Sequence, residues 1–151
     1  MKPRMFIRSE AVRVVSRRPL VVIESPYAGD VEANVAYAKR CVLDSLRRGE
    51  APYASHLFFT QPGLLDDLKP EERRLGMESG FAWGEAASVV GVYVDRGISS
   101  GMREGIAAAA RRGAHIEVRA LDREVTRDEL HAVFKAAGRP QTAIDERSET
   151  K

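Results

Sequence analysis

The sequence contains a single cysteine, Cys41, among its 151 residues. One cysteine excludes an internal disulfide and leaves a cysteine-based zinc site without ligands, so we expect a reducing compartment. Long hydrophobic runs are also absent: no apolar stretch approaches the ~18 residues that cross a bilayer, and arginines interrupt the hydrophobic residues near the N-terminus. The sequence therefore predicts a cytoplasmic protein without a membrane span, a secretory signal or a membrane partner.

The sequence also lacks a large excess of charge of either sign. The chain has 24 Lys and Arg residues against 22 Asp and Glu residues, a formal net charge of +2. This balance is too even for a protein whose main partner is a polyanion, so we expect no nucleic-acid partner. With 44% hydrophobic and 30% charged residues, the composition is that of a soluble globular protein, which excludes disordered and fibrous classes.

The length allows one compact domain with a single core. We place that domain at residues 20–138. Residues 1–19 form an N-terminal extension in which Val12 and Val14 permit an edge strand, and residues 139–151 form a polar C-terminal tail.

Strand and helix signals alternate along the predicted domain. Short runs that are continuously apolar, or that alternate apolar with polar residues, predict strands over 20–23, 51–59, 89–94 and 115–121. Helical spacing and capping signals predict helices that begin after Asp30, at Pro70, after Gly101 and after Thr126. The order β-α-β-α-β-α-β-α is typical of an α/β fold in which helices cover a parallel sheet.

The helix predicted at Pro70 has two competing faces. One face, which we predict to be the packed one, consists of Leu75, Ser79, Ala82 and Ala86. The other consists of Gly76, Gly80 and Gly84. Each glycine in a helix costs ~1 kcal/mol relative to alanine, so these glycines either weaken the helix or mark close packing.

Two strand-glycine-helix turns are the leading candidates for a binding site. The first consists of Ser25, Pro26, Tyr27, Ala28, Gly29 and Asp30, and the second of Ser99, Ser100, Gly101 and Met102. In open parallel sheets, ligands bind beyond the carboxyl ends of the strands, and the free N–H groups of a helix N-terminus favour an anion. If the first and third strands are neighbours, both turns face one crevice that can hold a phosphate and a ribose. For either turn alone, the alternative is that its residues only form the connection between strand and helix.

Carboxylates are the second requirement for nucleoside chemistry, because they stabilise the oxocarbenium-like sugar formed when a glycosidic bond breaks. The candidates near strand ends are Asp30, Asp66, Asp67, Asp95 and Glu104. Asp30 is equally suited to cap a helix, and Glu104 to stabilise a helix dipole. His56 and Gln61 are suited to hydrogen-bond a base edge, although a structural histidine is an equal alternative. No spacing of His, Asp and Glu resembles a metal site, so we expect neither metal nor cofactor.

Several of these segments together resemble the nucleoside 2-deoxyribosyltransferase-like superfamily and the short phage and bacterial proteins grouped near it. The resemblance lies in residues 25–29, in Asn34 and Tyr37 on the first helix, in the loop 56–67, and in residues 99–102 before an alanine-rich helix. It covers residues 21–121. It implies a Rossmann-like three-layer sandwich with a mainly parallel sheet of four to five strands, and assembly into homo-oligomers.

The resemblance also implies chemistry at the glycosidic bond of deoxyribonucleosides or their monophosphates. Members place a nucleophilic Glu on the helix after the third strand and an Asp on the helix before that strand. Gapless matching puts Gly105 and Gly80 at these positions, with Glu104 one residue early, about 100° around the helix. We therefore expect a protein that binds a nucleotide or nucleotide-derived small molecule without the family's catalytic acids.

Two other functions remain open at this point. One is an N-glycosidase or deoxyribosyltransferase with Glu104 as nucleophile, Asp95 or Asp30 assisting, and Tyr27 positioning the sugar. The other is a structural or interaction protein whose crevice stays empty.

Overall fold

The computed structural model describes residues 18–139. Its strands are β1 (Leu20–Glu24), β2 (Ala51–Tyr53), β3 (Val89–Tyr93) and β4 (His115–Arg119). Its helices are α1 (Val31–Arg47), α2 (Ser55–Phe58), α3 (Pro70–Gly84), α4 (Ser100–Arg111) and α5 (Arg127–Ala136). The edge strand predicted around Val12 and Val14 lies outside the described residues, as does the polar tail from residue 140.

The strands form one parallel sheet in the order β2-β1-β3-β4. This confirms the predicted α/β, Rossmann-like architecture. Because β1 lies between β2 and β3, the direction in which successive strands are added reverses at the β1–β3 pair, and ligands bind at such a point. None of the helices within residues 18–139 is long and apolar enough to cross a membrane.

Both faces of β1 are covered, as its continuous apolar run predicts. On one face Val21 and Ile23 pack against Tyr37 and Cys41 of α1, and Cys41 is buried as expected. On the other face Val22 belongs to a cluster with Val90, Val92, Met102, Ile106 and Val133. Full burial of such a side chain contributes about 1.5–3 kcal/mol, so the two clusters hold α1 and α4 on opposite sides of the sheet.

Side chains cap three of the helices, two of them at the predicted residues Asp30 and Thr126. The Asp30 carboxylate accepts a hydrogen bond from the Ala33 N–H at 3.2 Å, so Asp30 is the N-cap of α1. Ser99 caps α4 and Thr126 caps α5 in the same way, each satisfying one of the free N–H groups of a helix N-terminus.

The predicted strand over residues 51–59 is wrong in its second half. β2 ends at Tyr53, and Ser55–Phe58 forms the short helix α2. The Ala54 carbonyl accepts hydrogen bonds from the Leu57 and Phe58 N–H groups, so the chain turns away from the sheet. A short apolar run such as 57–59 fits a strand and a helix equally well by periodicity, and here local turn bonds decide.

The predicted packed face of α3 is also wrong. Leu75, Ala82 and Ala86 are exposed, whereas Gly80 and Gly84 are buried. The Ser55 Cβ lies only 2.8 Å from the position that a Cβ on Gly80 would occupy. The glycines therefore mark close packing against neighbouring elements, the alternative that their spacing had left open.

Candidate functional site

A cavity of about 110 Å³ lies beside β1 and β3, between α3 and α4, and reaches the carboxyl end of β1 at Glu24 and the turn that follows β3. Both predicted turns open on it because β1 and β3 are neighbours. The predicted residues that line it are Ser25, Tyr27, Ala28, His56, Ser99, Ser100, Gly101 and Met102. The structure thus brings together eight residues from three separate segments of the sequence.

The other residues predicted in or near the first turn do not line this cavity. They are Pro26, Gly29, Asp30, Asn34 and Gln61. Asn34 is buried and donates hydrogen bonds to the Tyr27 and Ala28 carbonyls at 3.0 Å, so it fixes the conformation of the turn. Gln61 donates instead to the Leu57 carbonyl at 2.7 Å.

The carboxylates expected to be catalytic also lie elsewhere. Asp95 accepts a hydrogen bond from the Tyr37 hydroxyl at 2.6 Å and another from the Leu121 N–H, in a separate open groove beside α1. Glu104 is exposed in a shallow depression between α3 and α4. Neither carboxylate lines the cavity. Glu104 points away from it because one residue step along α4, from Gly105, rotates the side chain by about 100°.

Two carboxyl groups do line the cavity: that of Asp67, one of the predicted candidates, and that of Glu24, which the sequence reasoning missed. Glu24 is the last residue of β1, and strand alternation places it on the same face as Val22, toward α4. Burial raises its pKa to about 8, with the nearby Arg112 guanidinium acting in the opposite direction. A glutamate that ends an otherwise apolar strand, just before a candidate turn, was the available sequence signal.

The Glu24 carboxyl occupies space that Gly105 leaves empty. A Cβ on Gly105 would lie 2.1 Å from Glu24 Oε1, far inside van der Waals contact. A side chain at position 105 would therefore have to displace this carboxyl. Where the family resemblance expects a glutamate from α4, the structure has a glutamate from β1.

The same arrangement recurs around the cavity. Four lining glycines each leave room for a polar side chain that arrives from another element. The distances run from the position that a Cβ would occupy on each glycine to the nearest polar atom. Glu24 Oε1 lies 2.1 Å from this position on Gly105, and Ser55 Oγ lies 2.8 Å from it on Gly80. Arg73 Nη2 lies 3.3 Å from it on Gly101, and Arg112 Nη2 lies 3.4 Å from it on Gly84. Of these four polar residues, Glu24 alone carried a sequence signal, its position at the end of an apolar strand.

Arg112 brings an unpaired cation to the cavity. It follows α4, and its Nε and Nη2 atoms are buried without a hydrogen-bond partner among residues 18–139. Desolvation lowers its pKa, and the charges of Glu24 and Glu85 oppose that shift. An unpartnered buried donor costs roughly 1–3 kcal/mol, so this end of the cavity favours a ligand or water that accepts hydrogen bonds.

A neutral pair lies on the side of the cavity formed by α2. Ser25 Oγ and His56 Nε2 are 2.7 Å apart, and the Tyr27 and His56 rings meet in a T-shaped arrangement with their centroids 6.5 Å apart. Desolvation lowers the pKa of His56 to about 4. His56 is therefore uncharged at neutral pH and suited to hydrogen-bond an uncharged ligand group.

Residues 19–119 match the model of a protein family described as a domain of unknown function (DUF7768). The chain belongs to the DUF7768 family. The match spans the sheet and every residue that lines the cavity. No curated protein sequence matches this DUF7768 protein.

Among solved structures, the DUF7768 chain is similar to a 2-deoxyribosyltransferase from the psychrotolerant bacterium Bacillus psychrosaccharolyticus. The TM-score is 0.52 at 10% sequence identity, and the alignment covers 83% of this chain and 95% of that one. This similarity shows a shared fold, in agreement with the architecture to which the sequence resemblance pointed.

Proposed function

We propose that the cavity binds a nucleotide or a nucleotide-derived small molecule. The observation that carries the proposal is that both strand-to-helix turns open on one cavity in which Arg112 has buried donors without a hydrogen-bond partner in the described part of the chain. The fold shared with a 2-deoxyribosyltransferase is consistent with a ligand of this class.

The cavity offers different chemistry to different parts of such a ligand. The N-terminus of α4 attracts an anionic group through its free N–H groups and its dipole. The Tyr27 ring and neutral His56 offer an aromatic edge and a hydrogen-bonding nitrogen. A ligand that carries an anion, a sugar and a base can satisfy these groups together.

The test is to incubate the protein with a mixed pool of nucleosides and nucleotides, separate the free compounds by ultrafiltration and chromatograph the filtrate. One compound should be depleted without being consumed. Gly101→Val should weaken its binding by roughly 10-fold or more, because the new side chain meets Arg73 and narrows the cavity.

Ala82→Val is the matched control, since Ala82 is an exposed residue of α3 outside the cavity. It should bind as the wild type does. If no compound is depleted by the wild-type protein, or if Gly101→Val binds with unchanged affinity, the proposal is wrong.

The position of Glu24 favours a second candidate function, cleavage of an N-glycosidic bond. In this reaction Glu24 donates its proton to the leaving base as the C1′–N bond breaks. Water then adds to C1′ of the sugar, and the proton that the water loses returns to the Glu24 carboxylate. A carboxyl group with a pKa of about 8 is protonated at neutral pH, as a general acid must be.

Glu24→Gln and Glu104→Gln distinguish this function from binding alone. Wild-type protein should release free base, detected by chromatography. Glu24→Gln should lose turnover by roughly 100-fold or more while its affinity changes less. Glu104→Gln removes an exposed carboxylate one residue from Gly105 and should retain turnover. Intact compounds after incubation with wild-type protein, or full turnover by Glu24→Gln, would exclude this second function.

A further inference from the structure

The cavity extends along α4 beyond the two turns. Its lining includes Gly101 in the first turn of α4 and Arg112 directly after the last turn, about 16 Å apart along the helix axis. We call the part lined by Glu24, Gly84, Gly105 and Arg112 the inner end. It is the part of the cavity in which polar side chains lack hydrogen-bond partners within residues 18–139.

The Arg112 guanidinium lies flat against Gly84 at the inner end. Its Nη2, Cζ and Nη1 atoms are 3.4, 3.6 and 3.7 Å from the position that a Cβ on Gly84 would occupy. Because these distances are nearly equal, the guanidinium turns a face to the glycine rather than one of its N–H groups. The N–H groups therefore point sideways, in the plane of the guanidinium.

The unpartnered nitrogens of Arg112 form one edge of this plane. Nε and Nη2 are both buried and have no hydrogen-bond partner in the described part of the chain. Their N–H bonds run parallel on the same side of the guanidinium, the fork through which arginine holds a carboxylate or phosphate by two hydrogen bonds. Glu24 and Glu85 are the acidic residues whose charges act on Arg112, yet neither accepts a hydrogen bond from this edge.

Glu24 adds a third donor at the inner end. Its carboxyl occupies the space left by Gly105, and burial raises its pKa to about 8. A protonated carboxyl has one O–H donor. Since Glu24 is then uncharged and Glu85 is exposed, Arg112 supplies one positive charge that no carboxylate inside the cavity balances.

From these contacts we propose that the inner end is a subsite for the carboxylate group of a small molecule. The carboxylate accepts parallel hydrogen bonds from Nε and Nη2 of Arg112 and a third hydrogen bond from the Glu24 carboxyl. It carries one negative charge, which balances Arg112, whereas a phosphate group carries close to two at neutral pH. The subsite goes beyond the proposed function because it does not require the ligand to be a nucleotide.

Titration of isotope-labelled protein with acetate, followed by NMR at neutral pH, tests the subsite. The Arg112 Nε–H group gives a signal of its own, which acetate should shift in a saturable manner. Acetamide has nearly the shape of acetate but no charge, and inorganic phosphate has a charge but is tetrahedral. Each should bind at least roughly 10-fold more weakly than acetate, because neither matches both the fork and the single charge.

Arg112→Lys keeps the positive charge but removes the fork, so it should weaken acetate binding by roughly 10-fold or more. Its missing Nε–H signal also assigns the wild-type signal to Arg112. Arg111→Gln is the matched control. Arg111 is the exposed last residue of α4, so loss of its charge should change acetate affinity by less than about twofold.

Urea denaturation of Arg112→Lys distinguishes a binding role from a structural one. Without acetate, the variant should be as stable as wild-type protein, because Nε and Nη2 have no hydrogen bond to lose within residues 18–139. Saturating acetate should raise the urea midpoint of wild-type protein and leave that of Arg112→Lys unchanged, since a ligand stabilises only the state that binds it.

The outcomes separate this inference from the proposed function. The subsite is wrong if the Arg112 signal does not shift saturably, if acetamide or phosphate binds as tightly as acetate, or if Arg112→Lys retains acetate binding. A loss of stability in Arg112→Lys without acetate would also overturn it, because the edge would then already be bonded in the folded chain. Nucleotide binding stands in each of these cases. Saturable acetate binding by a protein that depletes no nucleoside or nucleotide would support the subsite and overturn the proposed function.

Discussion

At the scale of single residues, the protonation state of Glu24 at neutral pH depends on its position in the fold. In the sequence, Glu24 is one of 22 Asp and Glu residues. In the folded chain, its carboxyl lies against the Gly105 backbone and makes no hydrogen bond to residues 18–139. Removal from water disfavours the charged form, and this is what raises its pKa.

The raised pKa of Glu24 predicts that stability falls as the pH rises above 6.5. A carboxyl that binds a proton more tightly when folded favours the folded state below its folded pKa, about 8, and loses that contribution as pH rises from its unfolded value of 4.5. His56 acts oppositely, since its folded pKa of about 4 makes stability rise between pH 4 and 6.5. Between pH 6.5 and 8 the loss from Glu24, up to about 2 kcal/mol, exceeds the remaining gain from His56, about 0.4 kcal/mol.

Denaturant unfolding at pH 6.5 and pH 8 measures this change. Wild-type protein should be less stable at pH 8, and Glu24→Gln should abolish this decrease, leaving only the small gain from His56. Glu104→Gln should keep the wild-type difference, because Glu104 is exposed. Equal stability of wild-type protein at the two pH values would mean that Glu24 is ionised in the folded protein.

At the scale of secondary-structure elements, glycines on α3 and α4 let other elements approach these helices closely around the cavity. Gly80 and Gly84 form the buried face of α3, and Gly105 is buried on α4. Each glycine costs roughly 1 kcal/mol in helix propensity relative to alanine, so the sequence alone makes α3 look weak. The close approach of other elements to Gly80 and Gly105 explains why glycine occupies these positions.

Gly80→Ala should destabilise the protein by about 1–3 kcal/mol, because the new methyl group would lie 2.8 Å from the Ser55 Cβ, which is attached directly to the α2 backbone. Gly84→Ala is the matched control one helical turn later. There the nearest atom, at 3.4 Å, is the flexible end of Arg112, so we expect no loss or a gain of up to about 1 kcal/mol.

Urea denaturation of both variants and of the double variant Gly80→Ala/Ser55→Gly checks this explanation. Removal of the Ser55 side chain should recover most of the loss caused by Gly80→Ala. Equal effects at positions 80 and 84, or no recovery in the double variant, would mean that the packing of α2 on α3 is not what requires glycine.

At the scale of the whole molecule, ion pairs join parts of the chain that are far apart in the sequence. Arg119 at the end of β4 is 4% exposed, pairs with Glu50 before β2 at 2.7 Å, and also pairs with Glu117. The Tyr93 hydroxyl of β3 donates to Asp44 of α1 at 2.7 Å and lies 3.5 Å from Arg119 Nη1. These contacts connect α1 and the turn after it to β3 and β4.

Much of the fold could be predicted from local sequence patterns. The apolar runs at β1, β3 and β4 and the caps at Asp30 and Thr126 lie where propensity and periodicity place them. Prediction failed at β2 and α2, because a short apolar run does not distinguish strand from helix. It also failed for the packed face of α3, because glycines carry no hydrophobic signal. Oligomeric state and cytoplasmic location remain predictions.

The sequence by itself determined the parallel α/β architecture and the two turns, because strands, helices and caps depend on neighbours a few residues apart. Only the tertiary structure decided which side chains share the cavity. The order β2-β1-β3-β4 brings both turns together, and glycines on α3 and α4 admit Glu24, Ser55, Arg73 and Arg112 from elsewhere in the chain. Such contacts join residues far apart in the sequence, so local sequence patterns do not predict them.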